Sequence, residues 1–139
     1  VHDRAPRRVA PPAEQRAVLD AFVTACRQGD LDGLLRLLAP DVVLRSDGGG
    51  AVRTARRPIE GADKVARFLL GLVRDVGDAE VVVDQVWVNG AAGMVVGVRP
   101  TGSDVVHRLG VQAFDISPDG RIERLWFVLN PAKLGHLPA

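Results

Sequence analysis

Phe22-Val23-Thr24-Ala25-Cys26-Arg27-Gln28-Gly29-Asp30-Leu31-Asp32-Gly33-Leu34-Leu35-Arg36-Leu37-Leu38-Ala39-Pro40-Asp41-Val42 is the stretch whose reading decides the fold. Phe22 and Ala25 continue a helical stripe begun by Val18, with Leu19 and Cys26 widening it. Gly29 ends that helix, since glycine alone takes a left-handed cap without steric cost, and Asp30 can cap the next one. Leu31, Leu34, Leu35 and Leu38 line one face of this second helix, which must stop near Pro40. Two helices joined so tightly turn sharply and pack around a shared interior, and the chain then passes at once into a strand.

Outward from this segment the remaining elements follow. Upstream, residues 1–12 hold Arg4, Arg7 and Arg8 among prolines and read as a basic linker or arm. The folded domain is expected over 13–139, its first helix running from about Ala13 to Gln28. Downstream, 41–47 alternates as a strand, with Val42 and Leu44 facing one way and Val43 and Arg45 the other. A weaker strand is expected over 52–56. The clearest helix spans about 62–75, where Val65, Phe68, Leu69, Leu72, Val73 and Val76 share a face. Then come strands over 80–88 and 93–98, joined through Asn89-Gly90, whose residues tolerate positive backbone angles. A long strand over 105–116 turns at Ser117-Pro118-Asp119-Gly120 into a last strand over 121–129. This α+β order predicts a curved, mostly antiparallel sheet with three helices in its hollow, a cone with an open end.

Composition narrows the function classes. The 139 residues are 47% hydrophobic with a formal net charge of +1, which describes one globular domain without the basic field of a nucleic-acid binder. No apolar run reaches the ~20 residues of a membrane span, and no signal peptide is read, so a cytoplasmic protein is expected. The single cysteine, Cys26, has no disulfide partner in the chain and lies on the buried side of its helix. A chain opening on Val1 instead of methionine is expected to be an excised piece of a longer protein or a processed chain.

The element order, together with Cys26-Arg27-Gln28-Gly29-Asp30-Leu31 and Leu37-Leu38-Ala39-Pro40-Asp41-Val42, resembles the cone-shaped family of nuclear transport factor 2, ketosteroid isomerase and the SnoaL-like polyketide cyclases. Three further segments sharpen this: Asp47-Gly48-Gly49-Gly50, Arg56-Arg57-Pro58-Ile59-Glu60-Gly61, and Asn130-Pro131-Ala132-Lys133-Leu134. They resemble the SnoaL-like C-terminal extension of one group of extracytoplasmic-function (ECF) sigma factors, over roughly residues 13 to 135. Ala51 stands where that group usually has lysine, and Ala132 where it has aspartate, which removes charged contacts at both positions. The resemblance implies a non-catalytic domain that adjusts sigma activity, with Asp47, Gly48, Gly49, Gly50, Asn130, Pro131, Lys133 and Leu134 as contact loops. Its implied partners are the sigma domains of the same polypeptide and the RNA polymerase core. The arm at 1–12 would then be the linker to the preceding DNA-binding sigma domain. Similar domains often pair sheet against sheet, so a homodimer is expected in isolation. The domain itself is expected to bind neither nucleic acid nor membrane.

The residue chemistry agrees with a contact module. The glycine triplet lacks the following Lys-Ser or Lys-Thr of a phosphate loop and the spacing of a dinucleotide fingerprint. Asp47 can instead accept from the amides after it and fix a turn. His2, His107 and His136 are too scattered for a metal site, so neither metal nor cofactor is expected. His107 falls within a strand and, by simple alternation, shares a face with Val105, Leu109 and Val111. The chain has no tyrosine for an isomerase-type oxyanion hole, and no catalytic residue is assigned. Phe22, Phe68, Trp87, His107 and Trp126 are expected to line the core or the cone, with Trp126 and Phe127 on opposite faces. The alternative is a stand-alone SnoaL-like domain that binds an unidentified small ligand in the cone, or an isomerase- or cyclase-type enzyme.

Overall fold

In the computed structural model, residues 10–47, 58–88 and 90–129 are described. Helix α1 spans Pro12–Gln28, α2 Leu31–Leu37 and α3 Ala62–Asp75. The strands are β1 (Leu38–Asp47), β2 (Ile59–Glu60), β3 (Glu80–Val88), β4 (Ala91–Arg99), β5 (His107–Ile116) and β6 (Ile122–Leu129). They form one sheet in the order β2-β1-β6-β5-β4-β3, antiparallel throughout except for the parallel pair β1–β6. The α+β cone expected from the sequence is the observed architecture, a curved mixed sheet holding three helices.

The tight helix pair forms as the sequence dictates. Gly29 takes the left-handed conformation at φ 66°, and the Asp30 carboxylate accepts from the Gly33 amide at 3.0 Å. The second helix ends at Leu37, earlier than Pro40 required, because β1 already begins at Leu38. Pro40 lies where the β1–β6 register shifts, between Leu38 and Val43, a place where a missing N–H costs the ladder nothing. The strand expected over 52–56 lies outside the described residues.

The core fills the space between helices and sheet. Leu19, Phe22, Leu34, Val42, Leu44, Val65, Phe114 and Leu125 are almost wholly removed from water. The Phe114 ring meets Phe22 edge-on, centroids 5.2 Å apart. Ahead of α1, Ala10 is buried, and its amide donates to the Ile116 carbonyl at 3.0 Å. The buried Gln15 holds this entry in place: its Nε2 donates to the Ala10 carbonyl at 2.7 Å and its Oε1 accepts from the Ala92 amide at 3.1 Å.

Two bulges change which residues face inward. Val96 opposes Gly110 while Gly97 opposes Arg108, so Leu109 is an extra residue. His107, opposite Val98, therefore falls on the face of Gln112 and not on that of Val111, as simple alternation required. β5 also starts at His107, two residues late, because the Val105 amide donates to Ser103 Oγ at 3.0 Å in the preceding turn. In β6, Asp115 opposes Arg124 and Ile116 opposes Ile122, which makes Glu123 the extra residue. Ile122 and Leu125, three apart in sequence, both reach the core as a result.

Candidate functional site

The parallel pairing of β1 with β6 decides where the two unusual loops begin. Asp47, the last residue of β1, stands beside Val128, and β6 ends one residue later at Leu129. Neighbouring strands lie ~4.8 Å apart. Strands β1 and β6 thus end side by side, at the same end of the sheet and pointing the same way, and the segments opening with Gly48 and Asn130 begin there. An antiparallel pair would have sent them from opposite ends. Gly48, Gly49, Gly50, Asn130, Pro131, Lys133 and Leu134 lie outside the described residues, as do His2 and His136.

The concave face is the second place of interest. Phe22 is only 2% exposed and is part of the packed core. Phe68, on α3, is half-buried against the same core. Between Met94 and Phe127 in the register lies Gln112, 4% exposed, whose buried Nε2 has no hydrogen-bond partner among the described residues. Such an amide nitrogen costs ~1–3 kcal/mol when left unpaired, so it can hold a carbonyl, carboxylate or hydroxyl oxygen brought against it. Its strand already marked it: Gly110, Gln112, Phe114 and Ile116 alternate on one face, and glutamine is the polar member of an otherwise inward set. The sequence reading passed over it by following catalytic residue types. Buried polar side chains among the described residues are Gln15, Gln112 and Ser117, so no desolvated acid or base stands on this face.

Trp87 and Trp126 are separated by the sheet. Trp87 is 44% exposed near the helix-covered face, with the Arg16 guanidinium 5.5 Å from the ring centroid. Together with Leu19, Gln85, Val86 and Ala92 these residues line a recess of about 50 Å³. Pockets for drug-sized ligands run to ~300–1,000 Å³, so this one admits little more than water. Its groups hold α1 against edge strand β3 instead. Gln85 donates to Asp20 at 2.5 Å, and Arg27 donates to the Val81 carbonyl at 2.9 Å. Trp126, opposite Arg45 and Ala113, stands on the outer face, and Phe127 faces the helices. The structure thus brings Phe22 and Phe68 into one core and leaves His107, Trp87 and Trp126 apart.

Reactive groups are few. Burial pushes the Cys26 thiol up from 9.0 to about 12, which keeps it protonated and unreactive at neutral pH. Among the described residues no group of three or more His, Cys, Asp or Glu could hold a metal, and no helix is long and apolar enough to cross a membrane.

The sequence profile of the SnoaL-like domain matches residues 19–125. The chain is 35% identical over 130 residues to the ECF RNA polymerase sigma factor SigJ of Mycobacterium tuberculosis. That match takes in 92% of this chain and 41% of SigJ, so the chain spans well under half the length of this relative. The crystal structure of the same sigma factor superposes with a TM-score of 0.64 at 33% identity, covering 92% of this chain and 46% of that one. A steroid delta-isomerase from Pseudomonas aeruginosa gives an equal TM-score of 0.64 at 24% identity, over 91% of this chain and 90% of its own, a likeness of fold alone.

Proposed function

This chain belongs to the SnoaL-like domain family, and we propose that it is the non-catalytic C-terminal regulatory domain of a bacterial ECF sigma factor. In this reading it works in the cytoplasm by contacting the sigma domains of its own polypeptide and, with them, the RNA polymerase core. The observation that carries the reading is the adjacency of Asp47 and Val128, which starts the two sigma-like loops side by side. Loops that begin together can present one contact surface, whereas either alone offers a few residues. The relation to SigJ over 92% of this chain supports the assignment of that surface to sigma contacts. A domain tethered to its target has a high effective concentration for it, so a modest contact suffices to bias the sigma domains between active and inactive arrangements. Transcription by the full-length sigma factor and by a form lacking this domain, at equal protein level, tests the proposal. A change in promoter output supports it, and identical output defeats it.

One observation favours a second reading. The unpartnered Gln112 Nε2 suits a small, mostly apolar molecule carrying a hydrogen-bond acceptor on the concave face. Such a ligand would act as a binding signal, since no desolvated acid or base accompanies it among the described residues.

A further inference from the structure

Trp87, Val105, Val106 and Val128 are the exposed large apolar side chains among the described residues, and three of them gather at one end of the sheet. β6 ends one residue after Val128, and Val105 and Val106 immediately precede β5. Leu129 opposes Gly110 near the start of β5, so this is also the end at which β1 finishes. A Cβ on Gly97 would stand 2.8 Å from Val106 Cγ1, so the valine lies over that glycine. Gly97 and Val95 alternate with Met94 and Val96, which pack on the core, so both belong to the outer face. Val95 opposes Val111, Val111 opposes Val128, and Val128 stands beside Asp47. Val106, Val95, Val111 and Val128 thus form an apolar strip that ends where the Asp47 segment begins. Arg108, opposite Gly97, and Arg45, beside Trp126, are exposed on its two long sides. Neither arginine has an ion-pair partner among the described residues.

We infer that this strip is a third part of the surface that meets the sigma domains of the same polypeptide, where it receives an apolar ridge flanked by carboxylates. The inference rests on the regulatory reading and adds to it an anchor on the outer face. Three strands ~4.8 Å apart and two rows of side chains offer only ~150 Å², against ~800 Å² per partner in a standard interface. The strip therefore holds nothing alone and acts with a contact already in place at its edge. The segments after Asp47 and Leu129 begin at that edge, and a tether raises the effective concentration of both. Charge selects the occupant. Two arginines without partners, one on each side of the valines, attract an acidic segment and repel a basic one. Residues 130–139 carry Lys133 and no acidic side chain, and residues 1–9 carry three arginines against Asp3. Neither end of the chain matches the strip, and an acidic amphipathic segment of the sigma domains does. Asp84, opposite Val95, bounds the strip on the β3 side.

Promoter output and thiol labelling of the full-length sigma factor together are the test. Val128→Glu and Arg108→Glu should each change output about fivefold, in the direction that removing the whole domain changes it. Arg108→Lys keeps the charge and should leave output near the parent value. Both positions are exposed, so folding should survive, as circular dichroism would verify. Val106→Cys should react with a thiol reagent about tenfold more slowly than Thr24→Cys, an exposed position on α1 away from the strip. The buried Cys26 stays silent in both. Output that responds to domain removal but to neither Val128→Glu nor Arg108→Glu would overturn the inference and leave the regulatory reading standing. Equal labelling of the two introduced thiols would do the same. Slow labelling with unchanged output would give the strip to another occupant, such as a second copy, and overturn it as well. If domain removal itself changes nothing, the regulatory reading fails and takes this inference with it.

Discussion

Two buried glutamines should respond in opposite directions to the same substitution. Gln15 and Gln112 are 3% and 4% exposed, and methionine replaces either with little change in volume. Gln15→Met removes the partner of the Ala10 carbonyl and of the Ala92 amide. Each buried group left unpaired costs ~1–3 kcal/mol, so a loss of ~2–6 kcal/mol is expected. Gln112→Met removes an amide nitrogen that has no partner to lose among the described residues. The same penalty is then relieved, for a gain of ~1–3 kcal/mol. Urea titration followed by the fluorescence of Trp87 and Trp126 reads both. With a slope of ~2 kcal/mol/M, a ~2 kcal/mol gain moves the midpoint up by ~1 M. A Gln112→Met midpoint below that of the parent chain would refute the reasoning, because the amide would then be satisfied in solution.

Phe114→Ala should destabilise by ~3–5 kcal/mol through the cavity and the lost edge contact with Phe22, seen as a lower urea midpoint. Cys26 should resist thiol reagents in the folded chain at neutral pH and react on unfolding, as labelling with and without denaturant would reveal. Its folded pKa is raised, so the thiol's contribution to stability is complete below pH 9 and is lost as pH rises from 9 towards about 12. Cys26→Ala should lack that alkaline decline, which denaturation across this window would check.

Much of the fold was legible because local signals agreed with one another. The amphipathic stripe placed α3 at the observed 62–75, and Gly29-Asp30 placed the break between α1 and α2. What escaped was non-local. No property of residues 38–47 alone announces a parallel neighbour in 122–129, yet that pairing starts both loops at one end of the sheet. Bulges at Leu109 and Glu123 were equally hidden, since an extra residue is defined only against the opposing strand. His107 was consequently grouped with Val111, although it shares the face of Gln112. Gln112 was legible in principle from the alternation around it, but its lack of a partner depends on Met94 and Phe127 from other strands.

The central claim is that the segments after Asp47 and after Leu129 act as one surface on the sigma domains. The most direct measurement is a double-mutant cycle on promoter output in the full-length protein, using Asp47→Ala, Leu134→Ala and the pair. Sigma level and folding are held equal throughout. Residues serving one contact are coupled, so the pair should change output by much less than the product of the single effects. Independent, multiplicative effects would contradict a shared surface, and no effect from any of the three would remove both loops from the function.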